Sequence, residues 1–563
     1  MASGDPIESR TVGPLPLLQR LIRAIGIPDV INDSVRWDPT RRVLSPGERI
    51  EVLILNILGG QRPLYRVHEF FEETATELLF HEGVTLAQLN DDCLARGLDD
   101  LAAAGARKVY SAVALRACIA EGIERTTGHF DTTSVSLYGE FPDLKDEDLQ
   151  RVHGYSKDNL PELKQLVLAL LCNRQGVPLW AEVRDGNSAD AHANRDAIDD
   201  FCAALEPEDR RRMLWVADSA LVTEPNLDRM SGMGLRFLSR LPERFAAAAR
   251  AKDAAWAGDE WEDLGALALE VRPDSARYRV CEQRVAIGGR DYRAVVVHAT
   301  GPGVRQGDSL QRKVEREREQ LTKALAKLGK ERFRCIADAD SARMDFLARH
   351  APDALHHIRL RVDAEQRDQP RAKPGRPRKG ERRSTVTDYL VRGELLPPSA
   401  ETLKREERHR ASFVLITNEM DPVTYPARRL LQAYREQTAV EQRFRFIKDP
   451  LFIPGVYLHT PRRIEALGYV FVMACLVYSI LERRVREALA RSGEQIIVPG
   501  NRRTPRPTAS MLLAMLKPLQ VARVGRGPWR LSSSTDMQRR AAQVTELAGF
   551  DFPSTYHADP SPP

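Results

Sequence analysis

Three kinds of hydrophobic patterning follow one another along the chain. From residue 14 to 124 apolar positions recur at helical spacing. Ser45-Pro46-Gly47-Glu48 reads as a capping box with proline at the first helical position, opening an apolar helix over 46–58 that Gly59-Gly60 ends. Further amphipathic helices are expected over 63–73, 91–104 and 106–122. At residue 128 the pattern changes. GHFDTTSVSLYGEF (128–141) is rich in β-branched and aromatic residues and predicts a strand. LKQLVLALLCN (163–173) and VPLWAEVRDG (177–186) form a strand pair about the turn Arg174-Gln175-Gly176, and residues 187–190 cap a helix running to about Leu205. RRMLWVADSAL (211–221) predicts a short buried strand ending at Asp218, followed by a helix over 223–233 and a strand over 235–241. SFVLITN (412–418) resumes as a strand, and residues 422–448 as a helix.

The interruption between these parts, 243–409, has its own composition. Short period-two runs between 269 and 300 (LEVRP, RYRVCEQRVAI, YRAVVVHAT) predict a small antiparallel sheet, and 311–333 a charged, mostly solvated helix. QRDQPRAKPGRPRKGERRS (366–384) carries eight Lys or Arg against two acids, around Gly375-Arg376-Pro377. That core resembles an AT-hook, which lays arginines into a narrow minor groove; a flexible basic linker has the same composition. The longest apolar run, 466–481, is shorter than the roughly 20 residues a membrane-spanning helix needs and predicts a buried helix over 464–490. Residues 492–508 read as a basic linker, 511–517 and 537–548 as short helices, and the ends (1–13 and from Asp551) as disordered. The expected organisation is a helical region 14–124, a catalytic region in two parts (125–242 and 410–491) split by an insertion (243–409), and a C-terminal segment 492–563.

Composition narrows the picture only locally. The 563 residues are 42% hydrophobic and 29% charged with a net charge of +5, as in a soluble globular protein, but 84 Lys and Arg leave room for basic surfaces. Seven cysteines without C-x-x-C spacing argue against a zinc site and for a reducing compartment. The first residues hold no basic region followed by an apolar run, so no signal peptide is expected, and a cytoplasmic location is.

The candidate chemistry centres on YREQTAVEQRFRFIK (434–448). Tyr434, Glu441 and Lys448 are spaced by seven, about 20° short of two helical turns, so a continuous helix sets a phenol, a carboxylate and an ammonium along one line. Val440, Phe444, Ile447 and Leu451 form an adjacent apolar stripe. A surface helix with ordinary charge pairs has the same spacing. Upstream, Asp131 lies inside a strand and Asp218 emerges where the apolar run MLWVA stops, at a strand's carboxyl end where open α/β sheets bind ligands. Three strands, helix, strand, helix, strand is the ribonuclease H-like order, with the first two carboxylates on its first and fourth strands. Two aspartates and a glutamate on separate elements suit divalent metal: Mg²⁺ prefers carboxylate, water and phosphate oxygens, and a pair of ions about 4 Å apart serves in-line attack on a phosphodiester. Lys448 and Tyr434 then lie where a DNA backbone passes, and Lys157, in HGYSKD, is a further candidate.

Taken together, FDTTS at Asp131, VADSA at Asp218, GYSKD at 154–158, TPRRIEAL at 460–467 and the Glu441 helix resemble insertion-sequence transposases of the DDE class. More narrowly they resemble the group whose third carboxylate sits in a Tyr, two residues, Arg, three residues, Glu, six residues, Lys signature. Here that reads Tyr434, Gln437, Glu441, Lys448: the spacing is kept and Gln437 stands at the arginine position, with Arg435 and Arg443 nearby on other faces. The resemblance spans roughly residues 14–500. It implies an α/β ribonuclease H-like domain, a mixed central sheet with flanking helices, with Asp131, Asp218 and Glu441 as catalytic metal ligands for two Mg²⁺, Mn²⁺ substituting. It also implies a homodimer on double-stranded DNA at terminal inverted repeats, hydrolysis at the element's ends, and attack of the 3′-hydroxyl on target DNA. Tyr434, Lys448, Lys157, Arg376, Arg378 and Lys379 are the expected DNA contacts. The N-terminal helices bind DNA, pair subunits or only pack. Trp256 and Trp261 are candidates for base stacking in a hairpin step, or for core packing. Two other functions fit the same motifs: a DNA-binding relative with impaired chemistry, and a nuclease without strand transfer.

Overall fold

The computed structural model describes residues 6–136, 149, 152, 164–267, 273–301, 307–368, 385–448 and 460–556, apart from positions 61, 82, 189, 204 and 353. The chain divides into two compact units, residues 1–242 with 417–563, and residues 243–416.

In the first unit five neighbouring strands carry the argument. They are Thr127–Ser136 (β2), Gln165–Cys172 (β3), Pro178–Asp185 (β4), Leu214–Ala217 (β5) and Arg236–Arg240 (β6), in the spatial order β4-β3-β2-β5-β6. β2 runs antiparallel to β3 and parallel to β5; β3–β4 is antiparallel and β5–β6 parallel. Every residue of β3 and β5 is buried, which explains their unbroken apolar runs: strands covered on both faces lose the in–out alternation. Trp215 on β5 stacks on Phe130 of β2, ring centroids 5.5 Å apart, and fixes that parallel pair.

The N-terminal helices are not set apart from this sheet. Ala106–Glu121 lies on β4, where the Tyr110 hydroxyl donates to the Pro178 carbonyl at 3.0 Å. The Ser45 cap is formed: its hydroxyl accepts from the Glu48 amide at 3.2 Å while the Glu48 carboxylate accepts from the Ser45 amide at 2.8 Å. N-terminal helices and β4 meet around one long helix, Pro461–Ser492, in which residues 469–482 are buried without interruption. By length and composition that helix suffices to cross a membrane, yet most of its apolar stretch is buried inside this fold. An apolar surface on all sides is what a core helix needs.

Both chain ends differ from expectation. Ile7–Thr11 (β1), in the stretch expected to be disordered, pairs antiparallel with Gln520–Val524 (β15), which also pairs with Arg530–Leu531 (β16). Ile496–Val498 (β13) and Arg502–Thr504 (β14) make a small hairpin inside the expected linker. Phe552–Tyr556 forms a helical turn whose Phe552 and Tyr556 are buried beside helix Leu15–Ala24. These segments are too short to announce themselves locally; the 496–504 hairpin pairs with itself, while Ile7–Thr11 and Phe552–Tyr556 meet partners some 500 residues away in sequence.

The second unit contains Glu262–Ala266 (β7), Arg277–Ile287 (β8) and Arg290–Thr300 (β9), an antiparallel series with Ser412–Thr417 (β12) next to β9. The expected strand at LEVRP lies largely outside the described residues; β7 forms just before it. His357–Asp368 (β10) and Thr385–Leu396 (β11) form a separate hairpin paired over twelve positions. Its Ile358 and Val391 pack with Leu321 and Leu328 of helix Gly307–Leu328, and with Ala339 and Phe346 of helix Ile336–His350.

Trp256 and Trp261 sit together in this unit, centroids 5.0 Å apart. Arg279 lies over both rings at 4.7 and 4.9 Å, Arg408 over Trp256 at 4.7 Å, and His298 meets both edge-on. Base stacking on these rings would have to compete with the guanidinium groups already over them.

Two outcomes follow from these contacts. Tyr556→Ala removes a fully buried ring and should destabilise the first unit by about 3–5 kcal/mol in urea unfolding, whereas a disordered tail would leave the midpoint unchanged. Burial, then the charge of Arg279, lowers the His298 pKa to about 4. The unfolded chain, with a histidine near 6.5, therefore takes up a proton first as pH falls. The stability that neutral His298 contributes is present above about pH 6.5 and is lost toward pH 4. His298→Gln should flatten that part of the stability–pH curve; the same slope in the variant would contradict this.

Candidate active site

Asp131 and Asp218 come together through strand register. β2 and β5 pair in parallel from Thr127↔Leu214 to Phe130↔Ala217, and each aspartate is the next residue. Adjacent strands lie about 4.8 Å apart, so the two carboxylates leave the sheet from neighbouring positions. β5 ends there because Asp218 turns the chain: its Oδ1 accepts from the Ala220 amide at 3.0 Å and caps the turn Ser219–Leu221. β2 continues, with Asp131 paired to Leu170 of β3 and its Oδ1 accepting from the Thr132 amide at 2.8 Å. Both aspartates are half-buried.

The register extends one strand further. β5 and β6 pair up to Ala217↔Ser239, so Arg240 is to β6 what Asp218 is to β5. The Ser239 hydroxyl donates to the Asp218 carbonyl at 2.7 Å and ties the two strand ends together. Asp131, Asp218 and Arg240 thus stand at one level of three successive parallel strands, where β5 and β6 end and β2 runs on. Arg240 is absent from the candidates the sequence offers. Its signal was present, as the residue after the apolar run LRFLS on the next parallel strand, but a lone arginine at a strand end draws no attention before the register is known.

The helix expected over 434–448 is two helices, Ala427–Arg435 and Thr438–Lys448. At the joint the hydrogen bonds tighten to three-residue spacing: the Gln437 amide to Tyr434 O at 3.2 Å, Ala439 to Glu436 O at 2.9 Å, Val440 to Gln437 O at 3.1 Å. The Thr438 hydroxyl donates to the Arg435 carbonyl at 3.1 Å, which the break would leave without its helical partner. The first helix lies on β5 and β6 and the second on β2 and β3, so the joint falls at the β2–β5 boundary from whose end the two aspartates emerge.

Tyr434 stands just before the joint and Glu441 in the first turn after it. Burial raises the Tyr434 pKa, the positive charge of Arg240 opposes this, and Asp218 and Glu441 add to the rise. The phenol therefore keeps its proton at neutral pH, and it lies within electrostatic reach of Asp218, Glu441 and Arg240 together. Glu441 itself is exposed and Lys448, at the end of the same helix, is half-buried. Among the described residues no three His, Cys, Asp or Glu side chains come together as a metal-binding group, so Asp131 and Asp218 are neighbours but Glu441 is not gathered in with them. The donor set is still of the right kind: Mg²⁺ takes hard oxygens, and one or two carboxylates suffice when substrate phosphates and water complete the shell.

Arg443 is not a stand-in for the missing arginine. It is buried, pointing away from Glu441 into the core. Its guanidinium pairs with Glu482 of the long helix at 2.7 Å and donates to the carbonyls of Gly176 at 2.9 Å and Gln175 at 3.4 Å. Burial works against its charge, but the Glu482 carboxylate more than offsets this and keeps the arginine protonated. Gly176 has φ +77°, and a Cβ there would stand 2.7 Å from Arg443 Nε, so the β3–β4 turn needs glycine both for its conformation and for the approach. Gln437 is buried at the joint, and Arg435 is exposed at the end of the first helix. Lys157, Arg376, Arg378, Lys379 and Leu451 lie outside the described residues.

Residues 7–115 match the model of a domain of unknown function, DUF4277. No curated protein matches the chain.

Arg443→Ala should cost about 3–5 kcal/mol, because it leaves the Glu482 charge buried and short of a partner. Gly176→Ala should destabilise in the same direction. Wild-type urea midpoints in both variants would show that this contact does not hold the helix.

Proposed function

We propose that this chain is a DDE-class DNA transposase of ribonuclease H-like fold, acting on the terminal inverted repeats of an insertion sequence by metal-dependent phosphodiester hydrolysis and strand transfer. The observation that supports it most is the register match: Asp131 and Asp218 follow the last paired residues of two adjacent parallel strands, β2 and β5, and the helix bearing Glu441 lies on β2 and its neighbour β3. The order along the chain, three strands in antiparallel pairs, then helix, strand, helix and strand, agrees with the order this reading expects.

Asp131 and Asp218 would hold Mg²⁺, with Glu441 the third ligand that the family resemblance implies; the metal, when bound, would activate the attacking hydroxyl and neutralise charge on the leaving oxygen. The chain's own part is positioning. Tyr434, held as a neutral phenol, donates a hydrogen bond to a phosphate oxygen. Arg240 presents a guanidinium at the strand end beside Asp218, where a bidentate contact fixes a phosphate against the carboxylates. Lys448 adds a positive charge farther along the Glu441 helix. Gln437, at the signature's arginine position, is buried at the joint, and in this reading Arg240 supplies the guanidinium beside the carboxylates. A homodimer would bring two such sites to the paired ends of one element.

The test is Mg²⁺-dependent cleavage of DNA carrying the element's ends. Asp131→Asn, Asp218→Asn and Glu441→Gln should each lower the rate by about 10²-fold or more with binding retained. A variant that cleaves like the parent removes its residue from the site. Arg240→Ala should slow cleavage while the folded structure persists, and wild-type kinetics would remove it from the phosphate contact. Binding without cleavage in the parent chain would favour a DNA-binding relative with lost chemistry, and cleavage without joining to a target plasmid a nuclease.

A further inference from the structure

A second cationic site is built into the 243–416 unit. Asp388 on β11 has no exposed side-chain surface, and three arginines pair with it: Arg332 at 3.1 Å, Arg334 at 3.2 Å, and Arg367 of β10. The arginine side chains are themselves 48%, 66% and 40% exposed. Their placement follows from the chain. Phe333 and Tyr389 exchange backbone hydrogen bonds, N to O at 2.9 Å each way, so residues 332–334 run beside β11 as a short extended piece. Phe333 and Tyr389 pack against the hairpin's apolar core. Side chains alternate along an extended chain, so Arg332 and Arg334 turn to the other side, the side of Asp388.

A carboxylate of charge −1 needs one guanidinium. Three leave a surplus of two positive charges within one cluster, and among the described residues no other carboxylate pairs with any of these arginines. Each guanidinium has five N–H donors and the carboxylate only about four acceptor sites, so most of the donors cannot be spent on Asp388. Mutual repulsion among three arginines is costly unless an anion offsets it. Asp388 offsets part and holds the forks in place, and the exposed edges are left for an anion from outside.

We infer that Arg332, Arg334 and Arg367, held by Asp388, form a phosphate-binding surface for the backbone of duplex DNA, apart from the carboxylate site. The choice of DNA among polyanions rests on the proposed function; the presence of an anion site does not. Contact there is to phosphate and carries no sequence preference, so it would fix the position of the duplex and not read it.

The experiment is binding of the full-length protein to a short fluorescent duplex of arbitrary sequence over a range of KCl concentrations. In the double variant Arg332→Ala, Arg334→Ala, the slope of log Kd against log salt should fall by about 1–2, since each phosphate contact contributes about 0.9. Affinity should fall by about tenfold or more at low salt in a variant that is still folded at the assay temperature, where Arg367 keeps its pair with Asp388. The Arg332→Lys, Arg334→Lys variant keeps the charges and should recover most of the slope. Unchanged affinity and slope in the alanine variant overturn the surface while leaving the transposase reading standing, as does a slope that stays low in the lysine variant. A parent chain that does not bind duplex DNA overturns both.

Discussion

The placement of the candidate site depends on one buried ion pair. A guanidinium in the core is tolerated only when its charge and its donors are matched, and Arg443 meets both conditions at once. It pairs with Glu482, reaches the carbonyls of the β3–β4 turn, and lies under the Tyr478 ring at 5.6 Å. Glu482 in turn receives Arg486 at 2.8 Å and the Ala509 amide at 2.9 Å. Four elements are therefore tied at one point: the Glu441 helix, the long helix, the β3–β4 hairpin, and helix Ala509–Leu516. Because Arg443 faces inward from the helix that presents Glu441 outward, the same contact that closes the core also sets which way the third carboxylate turns.

The remaining geometry is supplied by strand pairing. Parallel register puts Asp131, Asp218 and Arg240 at one level of three neighbouring strands, and the Ser239 hydroxyl on the Asp218 carbonyl keeps the last two in step. The broken helix then lies across these strands in order. An unbroken 434–448 helix would have carried Tyr434 and Glu441 in line on one axis. The break instead lets one segment lie on β5 and β6 and the other on β2 and β3, so that Tyr434 senses Asp218, Arg240 and Glu441 together.

What the sequence discloses and what it hides divide along physical lines. Strong local patterns carried their elements: the Ser45 cap, the buried runs of β3 and β5, and the apolar helix around 469–482. Asp131 could be placed on a strand because it lies within a β-branched and aromatic stretch, and Asp218 at a strand's end because the apolar run MLWVA stops there. The helix break could not be foreseen, since Glu436-Gln437-Thr438 holds neither glycine nor proline and the joint follows from packing on two pairs of strands. Likewise Arg443 and Arg445 look alike in the sequence; one is buried beside Glu482 and the other exposed. The edge strand at Ile7–Thr11 was hidden because its partner is Gln520–Val524, at the far end of the chain. Asp388 gathers Arg332, Arg334 and Arg367 from two separate stretches, which no local motif records.

In the proposed function Asp131, within β2, and Asp218, just after β5, form one cation-binding pair. Binding of Mn²⁺, followed by its electron paramagnetic resonance signal in the parent chain and in Asp131→Asn, Asp218→Asn and the double variant, tests this without requiring any DNA substrate. The expected result is a bound Mn²⁺ signal in the parent that either single substitution weakens strongly and the double substitution abolishes. Equal Mn²⁺ binding by the parent and the double variant would contradict it.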